Sequence, residues 1–475
     1  MHIDIDVTRH MWSKEETPIL TALIEMVTRH RLSLHVPGHK QGRLFPAPLA
    51  TWLGQALKID LTELPRLDNL HQPEGCIRES ATLAASHYGA AKTLFCVNGS
   101  SAGVMAAVLG CAANQRILVA GGFHQSLWKG LVLADANPVI LPTAFDWDNM
   151  EATVPSPEDV AMALQENEDV AAVFVTSPTY TGRIADVRGI AQAAHSYSIP
   201  LIVDEAHGAH FGITPELPEH SVQQGADVVI QSVHKMLPGL TQTAWLHLQG
   251  HYADYDSVQN ALLMLQTSSP SYLLLASLDA AQAWLRLEGK QTVEESLRTM
   301  SRYPELAIDP ARDAFRKWIP TASLDLSRDI AQALEEVGVW VEYADALGVL
   351  LIQSLDVKER DIERWLPVLR HRLSSPGFHH RTAFPRELKA LYDTQSERCL
   401  VPREAELKRH ERVHIRAARG RIAGRSIAPY PPGVPVVHPG QLLSQELISG
   451  LLWLASSGYG TVGLASDGTI EVVCE

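Results

Sequence analysis

Short apolar, β-branched runs alternate with amphipathic stretches from about residue 77 to residue 250. The apolar runs predict strands, because β-branched side chains favour extended backbone, and the stretches between them predict helices. Strands separated by helices are typical of a mostly parallel sheet with both faces covered. The predicted strands are residues 94–97, 117–120, 139–141, 171–176, 201–203, 228–231 and 244–248, and the predicted helices include residues 104–113, 160–165 and 187–197.

The flanking segments divide the chain into three parts. Residues 1–75 predict an arm, with a helix over residues 17–30 followed by loops. Residues 76–309 hold the seven predicted strands and form the expected large domain. Residues 310–475 predict a smaller C-terminal α/β domain. Its predicted elements are helices over residues 330–336 and 362–373, a strand over residues 349–353, and a final hairpin over residues 461–473 that turns at Asp467 and Gly468.

Composition and charge exclude several classes of protein. Of the 475 residues, 46% are hydrophobic and 20% are charged, which indicates a globular chain of two or three domains. The net charge of −14 argues against nucleic-acid and membrane partners, since both favour basic patches. The five scattered cysteines indicate reduced thiols in the cytoplasm, and their spacing predicts no metal site. The sequence carries no secretory signal pattern and no apolar run of about 18 residues that would predict a membrane helix.

Two segments that follow predicted strands could bind a cofactor by its phosphate and its ring. Open α/β sheets bind ligands at the carboxyl ends of their strands. Ser100 and Ser101 begin a predicted helix, where backbone N–H groups and hydroxyls suit a phosphate. His124 begins another helix and could stack on a planar ring. Taken alone, each of the two segments is better explained as an ordinary helix cap.

Two further strand ends carry Asp204 and Lys235. An acid there can pair with a protonated pyridine nitrogen, although capping of the next helix is an equal alternative. A lysine after a buried strand can form an imine, because desolvation and a cationic neighbour lower its pKa; the usual alternative is an exposed loop lysine. The order decides between these readings. A phosphate cradle, a stacking histidine, an acid and then a lysine is the order of fold-type I enzymes that use pyridoxal 5'-phosphate (PLP).

Longer motifs make the sequence resemble the bacterial ornithine/lysine/arginine decarboxylase family, in its short form without an N-terminal wing domain. The resemblance runs from about residue 17 to residue 445, and several of its motifs are specific to this family. The matching segments are residues 35–42 (HVPGHKQG), 67–75 (LDNLHQPEG), 176–182 (TSPTYTG), 204–210 (DEAHGAH), 232–235 (SVHK), 240–243 (LTQT), 267–272 (TSSPSY) and 429–433 (PYPPG).

The resemblance implies a fold, a cofactor and an assembly. The fold would be the α/β fold of fold-type I, with an aspartate aminotransferase-like large domain, a mostly parallel seven-stranded sheet and a smaller C-terminal domain. Lys235 would hold PLP as a Schiff base. Parts of residues 35–42 would complete the site of a neighbouring subunit, in a homodimer or a higher homo-oligomer. The other implied cofactor contacts are Asp204 at the pyridine nitrogen, Ser100, Ser101, Ser232 and His234 at the phosphate, His124 stacked on the ring, His207 close to it, and Thr243 beside a neighbouring subunit's site.

The implied reaction is decarboxylation of a basic amino acid to the corresponding amine and CO₂. Arginine is favoured as substrate, and lysine or ornithine is the alternative. Lys235 or His234 would return a proton to the α-carbon, and His207 would act beside them. A carboxylate should meet the cationic side chain of the substrate, and Asp68, Glu74 and Glu205 are the candidates, unranked.

Two segments depart from the family pattern. Gln125 stands where a lysine commonly follows the histidine. Residues 416–425 read RAARGRIAGR where members commonly carry acids, so Arg416 and Arg425 stand near the expected substrate entry. Arginines that lined the pocket would disfavour a cationic substrate by like charge. Arginines that face solvent or pair with surface acids would not.

Two other functions stay open at this point. One is a different PLP-dependent reaction, such as transamination or elimination, on the same scaffold. The other is a catalytically silent homologue that binds PLP and regulates. Retention of Lys235, Asp204 and both serines argues against the silent homologue, because a non-catalytic protein has no chemical need for all four.

Overall fold

The computed structural model describes residues 12–29, 32–142, 144–321, 323–374, 386–393, 397–429, 434–456 and 460–474. Residues 430–433 of the PYPPG segment therefore lie outside the described residues. The helices are α1 (Pro18–Thr28), α2 (Ala47–Leu53), α3 (Ala56–Ile59), α4 (Cys76–Tyr88), α5 (Gly99–Ala112), α6 (Gln125–Ala134), α7 (Pro157–Glu166), α8 (Val187–Ser196), α9 (Val233–Met236), α10 (Tyr255–Leu265), α11 (Tyr272–Trp284), α12 (Lys290–Met300), α13 (Leu324–Glu336), α14 (Glu359–Leu373), α15 (Arg386–Asp393), α16 (Pro402–Leu407) and α17 (Gln445–Ser456).

The strands match the predicted runs closely in the first half of the chain. A π-helical turn (Leu285–Gly289) joins α11 to α12, and short 3₁₀ turns lie at Pro304–Leu306 and Ile415–Ala417. The strands are β1 (Lys92–Cys96), β2 (Arg116–Ala120), β3 (Asn137–Leu141), β4 (Phe145–Asp146), β5 (Glu151–Ala152), β6 (Val170–Thr176), β7 (Leu201–Asp204), β8 (Val228–Ser232), β9 (Ala244–Leu248), β10 (Arg316–Pro320), β11 (Tyr343–Ala344), β12 (Gly348–Ile352), β13 (His410–His414), β14 (Ala428–Pro429), β15 (Thr461–Val462) and β16 (Thr469–Val473).

The seven strands predicted from the apolar runs form one sheet, in the order β1-β9-β8-β7-β6-β2-β3. Strand β9 is antiparallel to both of its neighbours, and the other pairings are parallel, so six strands share one direction. The prediction of a mostly parallel seven-stranded sheet is confirmed. Because these six strands run in the same direction, their carboxyl ends lie along the same edge of the sheet.

Alternate residues of the central strands pack on opposite faces of the sheet. In β6, Phe174 joins a cluster with Val108 of α5 and Leu127 of α6, whereas Val173 joins a cluster with Val160 of α7 and Ile190 of α8. All six residues are buried. This burial on both faces explains why the strands read as continuous apolar runs rather than as alternating patterns.

A second, three-stranded antiparallel sheet follows in the order β10-β12-β11, flanked by α13 and α14. The predicted helices over 330–336 and 362–373 and the strand over 349–353 are confirmed by α13, α14 and β12. One apolar cluster contains Ile19 of α1, Leu275 of α11 and Val349 of β12, so packing is continuous across both expected domain boundaries. Those boundaries, at 75/76 and 309/310, stay a prediction.

The predicted hairpin over residues 461–473 is wrong in its pairing. Strand β15 pairs with β14, and β16 pairs over five residues with β13. Only a single bridge, between Leu464 and Ile470, joins the two arms of the expected hairpin. The turn itself forms, with Gly468 at φ +76°. The residues at the turn determine the turn itself. The strand β16 pairs with β13 because the two strands can form more hydrogen-bonded pairs than β16 and β15 can, and the sequence near the turn does not indicate β13 as the partner.

No helix among the described ranges is both long enough and apolar enough to cross a membrane.

Candidate active site

A cavity of about 780 Å³ opens at the edge of the large sheet where β1, β2, β7 and β8 end. Side chains from the three-stranded sheet and its loops close it from the other side. The sequence-predicted residues that line it are Ser100, Ser101, His124, Asp204, His207, His234 and Lys235. Parallel topology therefore brings together seven residues that are spread over more than a hundred positions of the chain.

The first wall of the cavity is the N-terminus of α5. Gly99 adopts φ +77°, which turns the chain from β1 into the helix at a conformation that favours glycine. Asn98, at the cap position, makes no side-chain capping hydrogen bond, and the first N–H groups of a helix have no partner within it. Ser100 and Ser101 line the cavity, and Ser232 Oγ donates to Ser100 Oγ at 2.7 Å. This donor set suits an anion.

His124 both caps a helix and lines the cavity. Its Nδ1 accepts a hydrogen bond from the Ser126 backbone N–H at 3.2 Å, at the start of α6. The capping alternative therefore holds, and it also fixes the ring at the cavity wall. Burial lowers the pKa of His124, partly opposed by Asp204. Gln125, the departure from the family pattern, is the exposed first residue of α6.

Asp204 ends β7 with 4% of its surface exposed. Its Oδ1 accepts the Ala206 backbone N–H at 3.1 Å. Burial raises the pKa of the carboxyl, while Lys235 and His124 lower it. A cation placed beside Asp204 would lower the pKa further, so the carboxylate suits a positively charged ligand group.

Lys235 lies in α9, directly after β8, with its amine accessible from the cavity. Its Nζ is 3.0 Å from His207 Nε2. The protein around the cavity desolvates the amine and lowers the pKa of Lys235; Asp204 acts in the opposite direction and Arg316 in the same one. Lys235 is therefore a cavity-facing helix residue and not a loop lysine. Its surroundings favour the neutral amine that a nucleophile needs.

His234 and Thr243 form one local unit beside Lys235. His234 Nδ1 lies 3.0 Å from the Thr243 carbonyl oxygen, so a proton on Nδ1 would be held there. Thr243 is fully buried, and its hydroxyl donates to the Leu240 carbonyl at 2.6 Å. Thr243 does not line the cavity of its own subunit. Its implied contact with a neighbouring subunit's cofactor stays a prediction.

The three acids expected to bind the substrate side chain do not line this cavity. Asp68 Oδ2 accepts the backbone N–H groups of Gly75 and Ile77 at 2.8 and 3.0 Å, at the start of α4. Glu205 is buried and accepts from Ser221 and Gln231, and Glu74 accepts from Gln72 at 3.2 Å. Asp68 and Glu205 are satisfied by protein donors, which sequence alone does not reveal.

Three residues that sequence reasoning missed lie in or against the site. Tyr180 and Glu342 line the cavity, and the Tyr180 hydroxyl donates to Glu342 Oε1 at 2.5 Å. Arg316, the first residue of β10, is buried and donates through Nη2 to His207 Nδ1. Tyr180 lies within the TSPTYTG segment, which was a usable signal. Arg316 and Glu342 carry no motif.

The arginines at 416 and 425 are exposed and do not line the cavity. Arg425 Nε lies 3.2 Å from Glu471 Oε2, and its guanidinium also pairs with Glu406. The alternative in which these arginines face solvent or pair with surface acids therefore describes this subunit.

Comparison with known proteins assigns the family. The model of the Orn/Lys/Arg decarboxylase major domain matches residues 17–323, and that of the C-terminal domain matches residues 385–459. The chain is 32% identical to a Bacillus subtilis protein named arginine decarboxylase, over 97% of this chain and 98% of the relative. It is 24% identical to the constitutive lysine decarboxylase of Escherichia coli, over 95% of this chain and 79% of that protein.

A solved structure confirms the fold class. The structure of the Escherichia coli constitutive lysine decarboxylase superposes with a TM-score of 0.80 at 21% identity, over 97% of this chain and 82% of that chain. The family resemblance drawn from the motifs is confirmed as well. This chain belongs to the Orn/Lys/Arg decarboxylase family.

Proposed function

We propose that this protein is a PLP-dependent arginine decarboxylase in which the amine of Lys235 holds the cofactor. The observation that carries the proposal is the shared cavity of Lys235, Asp204 and the serine-bearing start of α5. Family membership supports the reaction. Relatives named arginine decarboxylase at 32% identity support arginine as the substrate.

The residues present fit PLP. The N–H groups and hydroxyls at Ser100 and Ser101 would hold the phosphate, with Ser232 behind them. Asp204 would sit at the ring nitrogen and His124 against the ring face. When bound, PLP supplies the electron sink for the carbon that loses CO₂. The buried Asp204 carboxylate would keep the ring nitrogen protonated, because a cation beside it would compensate the desolvation of the carboxylate.

The protein also has to replace the lost carboxylate with a proton at the α-carbon. Lys235 Nζ faces the cavity and has His207 as its neighbour at 3.0 Å. His234 also lines the cavity. Either Lys235 or His234 can hold a proton close to the α-carbon, as a general acid requires.

Glu342 is the carboxylate best placed to meet the substrate's guanidinium. The described acids that line the cavity besides Asp204 are Glu151, Glu342 and Asp345. Glu151 is buried and paired with Arg183 and Arg312. Asp345 is buried and accepts the backbone N–H groups of Leu347 and Gly348. Glu342 is exposed to the cavity, and an exposed carboxylate can pair with an arriving cation without first losing a buried partner.

A CO₂-release panel tests the proposed function. The PLP-reconstituted protein is incubated with arginine, lysine, ornithine and leucine, and CO₂, amine and keto acid are measured. The expected result is CO₂ and the matching amine from arginine, with less from lysine and ornithine and none in Lys235→Ala. A keto acid without CO₂ would establish a transaminase instead. Release from leucine alone would contradict the basic substrate.

We infer a homodimer or a higher homo-oligomer in the cytoplasm. The segment after α1 exposes large apolar side chains: Leu34, Leu44 and Trp52 are 84%, 76% and 88% exposed. Several exposed large apolar side chains in one segment are typical of interfaces, and residues 35–42 lie within this segment. All five cysteines are free, which supports a reducing compartment. Sedimentation equilibrium would find a monomer if the assembly is wrong.

A further inference from the structure

A chain of buried contacts leads from Lys235 into the start of β10. Lys235 Nζ lies 3.0 Å from His207 Nε2, and the other ring nitrogen of His207 is contacted by Arg316 Nη2. Arg316 Nε lies 3.1 Å from Asp313 Oδ2, and Asp313 Oδ1 lies 2.9 Å from His210 Nε2. Apart from Lys235, every side chain in this chain of contacts is buried.

The contact with Arg316 determines where His207 can carry a proton. A guanidinium stays protonated and offers only donors, so His207 Nδ1 must accept and cannot bear a hydrogen. An imidazolium would carry a hydrogen on both nitrogens and is excluded by the same contact. Neutral His207 therefore has its hydrogen on Nε2, which faces Lys235. Burial first, and then Arg316 and Lys235, lower the pKa of His207, in agreement with a neutral ring.

The hydrogen on His207 Nε2 in turn constrains Lys235. An ammonium group has three donors and no lone pair, so it cannot accept from Nε2–H. At 3.0 Å the contact is a hydrogen bond only if the Lys235 amine is neutral and accepts it. The other charged groups around the amine are Asp204 and Glu342, which favour the ammonium form, and Arg316, which disfavours it.

Arg316 is itself held in place on every side. Its Nη1 donates to the Tyr180 carbonyl at 2.8 Å, and its Nε pairs with Asp313. Burial acts against ionised Asp313, but His210 and Arg316 lower the pKa of its carboxyl below the usual value. A buried guanidinium persists only with such a paired partner. Arg316 therefore cannot rotate away from His207 without giving up its ion pair with Asp313 Oδ2.

We propose that Arg316 is a positioning residue that fixes His207 as the Nε2–H tautomer, so that His207 donates to Lys235 and keeps its amine neutral and aimed into the cavity. The neutral amine is the form that attacks a carbonyl carbon. This inference rests on the proposed function only for the role of Lys235 as the lysine that holds the cofactor. The tautomer and the protonation state are properties of the cofactor-free protein and can be measured there.

The first test is long-range ¹H–¹⁵N NMR of the cofactor-free protein, with His207 assigned by the signal that disappears in His207→Gln. The expected result is a protonated Nε2 and a bare Nδ1 in the wild type. In Arg316→Gln we expect the tautomer preference to be lost or reversed. A protonated Nδ1 in the wild type would overturn the proposal, whatever the protein's activity.

The second test measures the reactivity of the Lys235 amine. Cofactor-free protein is labelled briefly with acetic anhydride between pH 6 and 10, and the peptide with Lys235 is quantified by mass spectrometry. We expect about tenfold slower labelling of Lys235 at pH 8 in Arg316→Gln than in the wild type. Arg312→Gln is the matched control, because Arg312 pairs with buried Glu151 and does not contact His207. Equal labelling in Arg316→Gln would contradict the proposal.

Variants of His207 keep the second test decisive if Arg316→Gln does not fold. The amide nitrogen of a glutamine reaches the position of Nε2, whereas that of an asparagine does not. We therefore expect His207→Gln to label at a rate near the wild type and His207→Asn to label about tenfold more slowly. Equal rates in the two variants would mean that a donor at the Nε2 position is unimportant. If CO₂ release fails while these results hold, the proposed reaction is wrong and the tautomer assignment stands.

Discussion

Ser232 Oγ donates to Ser100 Oγ across 2.7 Å, although the two residues are 132 positions apart in the chain. The contact joins the end of β8 to the start of α5. The strand that leads into α5 is β1, and in the sheet β1 is separated from β8 only by β9. Lys235 follows Ser232 within one turn. The start of α5 and the lysine are therefore held in register by one part-buried contact.

Replacing either serine should weaken PLP binding. A hydrogen bond to a charged group contributes about 1.5–3 kcal/mol, so Ser100→Ala should raise the Kd for PLP by about 10- to 100-fold. Ser232→Ala should act in the same direction, and the double variant should lose less than the sum because the two hydroxyls share a bond. Absorbance titration measures the Kd. Ser196→Ala, on the exposed end of α8, is the control, and an unchanged Kd in both site variants would refute the phosphate assignment.

Asp204→Asn should reduce kcat while leaving the fold intact. The amide is isosteric, but it cannot stabilise a proton on the ring nitrogen, and loss of such support costs on the order of 10²–10⁴ in rate. Removing the buried charge should not lower the melting temperature, because burial acts against the ionised carboxyl. Single-turnover CO₂ release and thermal unfolding separate the two effects. A kcat within about twofold of the wild type would leave Asp204 with only its local hydrogen bond from the Ala206 N–H.

Glu342→Gln should act mainly on KM for arginine. The amide oxygen can still accept from Tyr180, so the change removes charge and leaves the local contact. We expect KM to rise about tenfold, which corresponds to about 1.4 kcal/mol, with a smaller change in kcat. Steady-state kinetics measures both constants. The control is Glu335→Gln, which changes an exposed acid of α13. An unchanged KM would mean that Glu342 does not bind the guanidinium and would point to a carboxylate of a neighbouring subunit.

The sequence predicted the elements and the residues that carry local signals. All seven strands of the large sheet were found because each contains a short apolar run, and the central strands are buried on both faces. Lys235, Asp204 and Ser100 were found because each follows such a strand. Once the sheet is parallel, its strand ends meet at one edge, so these residues had to converge.

Residues whose role depends on distant partners could not be predicted. Glu342 lines the cavity and Arg316 contacts His207 behind it, both from the region after residue 310, and neither stands in a motif. The sequence makes Asp68 and Glu205 candidates for binding the substrate because it shows each carboxylate without its hydrogen-bond donors, and that role stays a prediction. The donors of Asp68 are backbone N–H groups, and those of Glu205 include Gln231 on another strand. Pairing between distant segments is also what misled the prediction at the C-terminal hairpin.

The folded protein should be sensitive to acid through its buried histidines. His247 of β9 is fully buried between Thr93 and Gln231, and burial lowers its pKa from 6.5 to about 3. Below pH 6.5 the imidazole of His247 is protonated in the unfolded chain, whereas in the folded protein it stays neutral down to about pH 3. The free energy of unfolding therefore decreases as the pH falls through this window. Between pH 7 and pH 5 this residue alone should cost about 2 kcal/mol.

A single variant isolates the contribution of His247. His247→Gln should shrink the difference in unfolding free energy between pH 7 and pH 5, and urea unfolding at the two values measures it. His251→Gln removes an exposed imidazole and should keep the wild-type difference. The account of His247 fails if both variants behave alike.

The most direct test of the central claim locates the cofactor on the chain. The protein is incubated with PLP, reduced with borohydride so that any lysine imine becomes a stable secondary amine, digested, and mapped by mass spectrometry. We expect one pyridoxyl adduct, on Lys235, and its loss in Lys235→Ala. An adduct on another lysine, or none in the wild type, would contradict the assignment of Lys235 as the cofactor lysine.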